Sequence, residues 1–142
     1  MSALGDLVRT WLAGEVELAP ITELLDIRPV TIERGLARLE MPVGVRLHNA
    51  MGTVHGGVFC DLADVAFGVA FATVAEDGEA FSTVQLQMSY LQPVREGRLI
   101  ATATVLRRGR TTAQLECEIH DEAHALVAKA ISLVAIRRHE AD

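Results

Sequence analysis

Val58-Phe-Cys-Asp61-Leu-Ala-Asp64-Val-Ala-Phe-Gly68-Val-Ala-Phe-Ala-Thr-Val-Ala75 is the stretch on which the fold turns. Its apolar residues fall on nearly every side of a helical wheel, so a helix here has to be covered around most of its circumference. A bilayer would cover it, but Asp61 and Asp64 stand inside the stretch, and carboxylates at membrane depth are costly. The covering is therefore protein. His55-Gly56-Gly57 leads into this helix and the turn Glu76-Asp77-Gly78 ends it.

Downstream of the helix the chain reads as strands. Val84, Leu86, Met88 and Tyr90 alternate with Gln85, Gln87 and Ser89, the period of a half-buried strand. Pro93 and Gly97 break that run, and Arg98 to Arg108 follows. A turn at Gly109 leads to Thr111–Ile119, where Leu115, Cys117 and Ile119 alternate with Glu116 and Glu118. The polar hairpin His120-Asp121-Glu122 precedes a last strand, Leu126 to Ile136.

Upstream, Ile27 to Ile32 and Gly35 to Met41 are two further strands joined near Glu33-Arg34-Gly35. Pro29 confines the first to a sheet edge or a strand start, because it has no N–H for a ladder. Leu4, Leu7, Val8, Trp11 and Leu12 mark one face of a helix over Ala3 to Leu12. Hairpin-length links favour antiparallel pairing between strands. The prediction is an α+β domain over residues 1–142, a curved antiparallel sheet wrapped around one long central helix.

Composition narrows the function. A chain of 142 residues, half of them hydrophobic, has ample material for one core. Its net charge of −6 argues against broad binding to a nucleic-acid backbone, which needs clustered Lys and Arg. The local exception is Arg107-Arg108-Gly109-Arg110. Cys60 and Cys117 are too few for a disulfide scaffold and fit a reducing compartment, so a cytoplasmic location is expected. Asp6, Arg9 and Glu15 interrupt any apolar run that could act as a leader.

The chemistry concentrates in Asn49-Ala-Met-Gly-Thr-Val-His55-Gly56-Gly57, followed on the helix by Asp61 and Asp64. Glycines at a helix start let a ligand approach the backbone closely. The first N–H groups there have no partner within the helix, so they can polarise a carbonyl oxygen and hold the oxyanion formed in acyl transfer. A nearby carboxylate can activate water or attack the carbonyl itself. His48 and His55 lack the accompanying Cys or carboxylate set of a metal site, so no metal is expected. No Gly-x-Ser-x-Gly elbow is present, which disfavours a serine hydrolase.

Asn-x-x-Gly-x-x-His-Gly-Gly, with Leu-Ala-Asp on the same helix, resembles the phenylacetate-degradation (PaaI-like) branch of the hotdog-fold thioesterases. The likeness extends to Thr83, Tyr90-x-x-Pro93 and the Gly109-Arg110 turn. It implies a hotdog-fold acyl-CoA thioesterase in which coenzyme A belongs to the substrate and no separate cofactor is needed. By the same resemblance Gly56 donates its backbone N–H to the thioester oxygen, and Asp64 is base or nucleophile. Asn49 positions water or substrate, Thr83 touches the reacting centre or the water, and His55 braces the loop or hydrogen-bonds near the thioester rather than acting as base. Asp61 is the rival acid, although its place nearer the helix start also suits the helix dipole. Arg108, Gly109 and Arg110 are read as a clamp for the nucleotide phosphates of coenzyme A, against the plainer reading of a solvated hairpin.

Two other readings stand beside hydrolysis. One is a hotdog hydratase or dehydratase, whose catalytic His would need a different setting from that of His55. The other is a non-catalytic acyl-CoA-binding regulatory dimer. For any hydrolase the helix itself sets a constraint. Gly56 and Asp64 are eight positions apart, or about 12 Å along the axis at about 1.5 Å per residue. A base has to come within about 3 Å, or one water, of the reacting group. A homodimer with two shared sites satisfies this, one chain giving Asn49 and Gly56 and its partner Asp64. A pairing of such dimers into a tetramer is the further expectation.

Overall fold

The computed structural model describes residues 2–139. Two helices come first, α1 (Ala3–Leu12) and α2 (Pro20–Leu24), then strands β1 (Arg28–Glu33) and β2 (Leu36–Val43). The long helix α3 spans Gly56–Ala72. Four strands complete the chain: β3 (Glu79–Tyr90), β4 (Gly97–Arg108), β5 (Thr112–His120) and β6 (Leu126–Arg138). All six strands join one antiparallel sheet in the order β1-β2-β4-β5-β6-β3.

The alternation seen in the sequence becomes two faces of this sheet. Ala37, Leu39 and Met41 of β2, Leu99, Ala101 and Ala103 of β4, and Leu115, Cys117 and Ile119 of β5 are buried on the face that meets α3. From the helix, Leu62, Ala66, Phe67, Ala70 and Phe71 are fully buried against them. Alanines at three of those sheet positions leave room for the two phenylalanine rings. Truncating Phe67 to Ala in such a core costs about 3–5 kcal/mol. Bulges at Pro29/Thr31, Thr83/Gln85 and Val105/Arg107 bend the strands, which lets the sheet curl around the helix.

Three features depart from the sequence reading. The link from β3 to β4 is not a hairpin, since β3 pairs with β6 at the sheet edge while β4 lies between β2 and β5. Residues 91–96 cross the strand ends, fastened by Leu91 and Gln92 N–H groups to Val127 O and by Val54 N–H to Val94 O. The helix stops at Ala72 rather than Ala75, because Thr73 Oγ1 bonds back to Ala70 O and accepts from Gly35 N–H at 2.7 Å. The five-residue α2, begun by Pro20, had no counterpart among the predicted elements.

Helix α3 is not covered all round. Gly57, Asp61 and Asp64 remain exposed on one stripe, while Val58, Phe59, Leu62 and Ala63 between them are buried. Toward the C-terminal half this stripe passes under α1 and α2. There Val8 and Trp11 are buried, whereas Leu7 and Leu12 of the same apolar face stay 40% and 39% exposed. No helix among the described residues is long and apolar enough to cross a membrane.

Candidate active site

The loop before α3 is built by its own side chains. Asn49 Oδ1 accepts from the N–H groups of Met51 (2.9 Å) and Thr53 (3.2 Å), and its Nδ2 donates to Thr53 Oγ1 at 2.9 Å. His48 pairs with Val54 in an isolated bridge, and His55 N–H reaches Leu47 O at 2.9 Å. Asn49 thus shapes the loop directly, with one amide hydrogen left over for another partner.

His55 caps the helix. Its Nδ1 accepts from Gly57 N–H at 2.9 Å, so the ring's hydrogen sits on Nε2 and the cap satisfies one of the first free donors. Among the described residues no acceptor is bonded to the Gly56 N–H, which remains the open donor at this end. Tyr90 closes the other side of Gly56, donating its hydroxyl to Gly56 O at 2.7 Å. A Cβ on Gly56 would lie 2.9 Å from Tyr90 Oη, so glycine is required by the close approach of that ring. Burial, together with the bond to the Cys60 thiol 3.5 Å away, pushes the Tyr90 hydroxyl up to about 12, and it stays a donor at neutral pH. Asn49, His55, Gly56, Tyr90 and Pro93 share the wall of one cavity of about 560 Å³.

Asp64 lies elsewhere. It faces a separate cavity of about 240 Å³ under α1 and α2, two turns along α3. Thr83 Oγ1 donates to Asp64 Oδ1 at 2.8 Å, and the bulge beside Thr83 sets that side chain toward the helix. The second carboxylate oxygen has no such partner among the described residues. Asp61 is exposed one turn earlier, its carboxyl pushed up by partial burial and by the charge of Asp64. The chain therefore unites Asn49, His55 and Gly56 in one place and Asp64 with Thr83 in another.

The basic turn divides as well. Arg107, Gly109 and Arg110 line a cavity of about 390 Å³ on the sheet. Arg108 turns away into an ion pair with Glu79, whose side chain is wholly buried, and a longer one with Glu76 at 3.8 Å. Of the three residues expected to clamp phosphates, Arg108 is thus engaged in ion pairs within the chain, while Gly109 and Arg110 line the cavity. Burial alone would raise the Glu79 carboxyl, but bonds from Arg108, the Glu76 N–H and Arg138 hold it below the usual carboxylate range.

Sequence reasoning missed what Tyr90 does. Its place at the end of an alternating strand was visible, but its contact with Gly56, thirty-four positions away, depends on β3 reaching the helix start. Cys60 is only partly buried and faces that same hydroxyl.

Comparisons with known proteins meet this geometry. The profile of the Thioesterase superfamily matches residues 51–128, which contain His55, Gly56, Asp64 and Thr83 but neither α1 nor α2. The 1,4-dihydroxy-2-naphthoyl-CoA hydrolase of Listeria monocytogenes is 27% identical over 118 residues, 83% of this chain and 96% of that one. The proofreading thioesterase EntH of Klebsiella pneumoniae is 31% identical over 91 residues, 64% of this chain and 66% of that one. The E. coli PaaI protein of the phenylacetic acid degradation operon has the same fold, with a TM-score of 0.82 at 25% identity over 97% of both chains. The chain belongs to the Thioesterase superfamily and is a thioester hydrolase with a PaaI-like hotdog fold.

Proposed function

We propose that this enzyme hydrolyses acyl-CoA thioesters at a site completed by two copies of the chain. The observation that carries the proposal is the separation on α3: an open backbone donor at Gly56 and an exposed carboxylate at Asp64, each in its own cavity about 12 Å apart along one helix. Antiparallel packing of two such stripes sets the start of one helix beside the middle of the other. The edge strand β3 supports the same assembly. It is twelve residues long, its outer N–H and C=O groups face no strand of its own chain, and Val84 and Tyr90 on it are 61% and 54% exposed. A second copy laid along that edge covers them.

In this site the thioester oxygen meets the Gly56 N–H of one subunit, with the positive end of α3 behind it. Asp64 of the other subunit takes a proton from water while the water oxygen bonds to the carbonyl carbon. The carbonyl electron pair moves onto the oxygen held at Gly56. When it returns, the C–S bond breaks, the sulfur takes the proton from Asp64, and acid and coenzyme A leave. Direct attack by Asp64 is the other route: its oxygen bonds to the carbonyl carbon, the C–S bond breaks to leave a mixed anhydride, the coenzyme A thiolate takes a proton from water, and hydrolysis of the anhydride restores Asp64. Thr83 holds one oxygen of Asp64 and leaves the second for this work. Arg110, beside Gly109, is the cation offered to the nucleotide phosphates.

The relatives named above include one that acts on an aromatic acyl-CoA, which supports the substrate class. The test is a panel of short, long and aromatic acyl-CoA esters followed by free-thiol detection. Thiol release from at least one member is expected. Tight binding with no release from any member would favour the acyl-CoA-binding dimer instead.

A further inference from the structure

We infer that the cavity under α1 and α2 is the acyl chamber of this site, and that it selects neutral, apolar acyl groups of medium size. The inference rests on the acyl-CoA reading above and goes on to name what the thioester carries. Asp64 stands on the wall of this cavity, so a carbonyl brought to Asp64 has its acyl tail at the opening. From there the wall follows α3 through Val65, Gly68 and Ala72, the same face of the helix at successive turns, for about 12 Å. The roof is Leu7 and Val8 of α1 and Ile21 of α2.

The chemistry of the lining sets the class of ligand. Apart from Asp64, the only polar side chain lining it among the described residues is Thr22, whose hydroxyl accepts from the Ala19 N–H and has its one hydrogen engaged between Glu17 Oε1 and Ala19 O. Beyond Asp64, which the reaction uses, no side chain lining the chamber can pair with a further charge or donor, and burying an unpaired polar group is unfavourable. An apolar tail meets no such penalty and gains by leaving water. Size sets the rest. An apolar cavity of about 150 Å³ accepts benzene, so about 240 Å³ has room for a phenyl group on a short linker or an unbranched chain of similar bulk. Gly68 lets the Phe81 ring of the same wall pack closely on the helix, because a Cβ there would stand 3.0 Å from it.

Leu7, Val8 and Ile21 lie before residue 51, where the superfamily match begins, so the roof of the chamber and Asp64 come from different parts of the chain.

The test compares kcat/KM for octanoyl-CoA, acetyl-CoA and glutaryl-CoA in the wild type, Leu7→Glu and Ile21→Glu. Both replaced residues are about 40% exposed, so a charge there leaves the core filled. The wild type is expected to favour octanoyl over acetyl and glutaryl by roughly tenfold or more, the scale of a few methylenes in an apolar pocket. Each variant is expected to reduce the octanoyl-to-acetyl ratio by roughly tenfold, with thermal unfolding unchanged. A ratio that neither variant moves overturns the chamber and leaves hydrolysis standing. Calorimetric binding of octanoyl-CoA and acetyl-CoA separates the opposite failure. Octanoyl-CoA bound more tightly, and weakened by Leu7→Glu, without turnover in any panel member keeps the chamber and retires hydrolysis. Equal binding of the two esters retires the chamber.

Discussion

The two cavities along α3 are built on opposite plans. At the helix start everything is backbone: one open N–H at Gly56, with His55, Asn49 and Tyr90 spent on holding it in place. Two turns later the functional group is a side chain, Asp64, steadied by Thr83 at the mouth of an apolar chamber. The first offers a backbone donor for charge on an oxygen and no carboxylate. The second can move a proton but has no donor for an oxyanion. On the proposed reading a single chain holds two half-sites, and most of the variants below act on one half.

The largest effect is expected at Asp64. Asp64→Asn keeps the bond to Thr83 within reach but removes the proton acceptor, and kcat should fall on the order of a hundredfold or more with KM little changed. Asp61→Asn should leave most of the activity. If Asp61→Asn abolishes turnover while Asp64→Asn is nearly silent, the two halves have been assigned to the wrong carboxylate.

The Asp64 half depends on β3 staying on β6, and Glu79 pins the first turn of that pairing through Arg108 and Arg138. The Glu79 carboxyl is held below its ordinary range in the folded chain. Its contribution is thus complete above the unfolded carboxylate range and is lost as pH falls through the lower, folded value. Glu79→Gln should lower stability by about 2 kcal/mol at neutral pH, the scale of a hydrogen bond to a charged group. The gap in Tm from wild type should close as the solution is acidified through that range. A gap that is constant or widens in acid would show that the pair adds nothing through its charge.

At the other half, Tyr90→Phe deletes the hydroxyl bonded to Gly56 O and keeps the ring packed edge-on against Phe59. Loss of one neutral hydrogen bond, about 1 kcal/mol, should lower kcat by roughly fivefold and Tm by no more than a few degrees. An unchanged kcat would mean that Gly56 is held by its loop alone.

How much of this was legible in the sequence follows from which interactions are local. The α3 stretch declared a buried helix because its apolar residues surround the axis, and the strands declared their faces by alternation. Strand order was not legible. Nothing in β3 says that it will pair with β6 instead of β4, since that choice depends on a crossing of residues 91–96 tied to Val127 and Val54. Helix α2 is too short to show a period. The separation of Gly56 from Asp64 could be computed from helix rise, whereas the loss of Arg108 to Glu79, twenty-nine positions away, could not.

The smallest expected effect is at the basic turn. Arg110→Ala should raise KM for a CoA ester a few-fold and leave hydrolysis of a short pantetheine thioester, which lacks the nucleotide, nearly unchanged. Equal losses on both substrates would remove Arg110 from phosphate binding.

The sharpest test of the divided site mixes the two lesions. Gly56→Ala and Asp64→Asn chains, each expected to be nearly inactive alone, are co-expressed and mixed dimers are identified by mass. If one chain supplies Gly56 and its partner Asp64, a mixed dimer carries both lesions in one site and neither in the other. With random pairing about a quarter of all sites are then intact, and activity should recover to about a quarter of the wild-type value per site. If each site lay within one chain, every site would carry a lesion. Activity no higher than that of the parents, with mixed dimers present, would contradict the shared site.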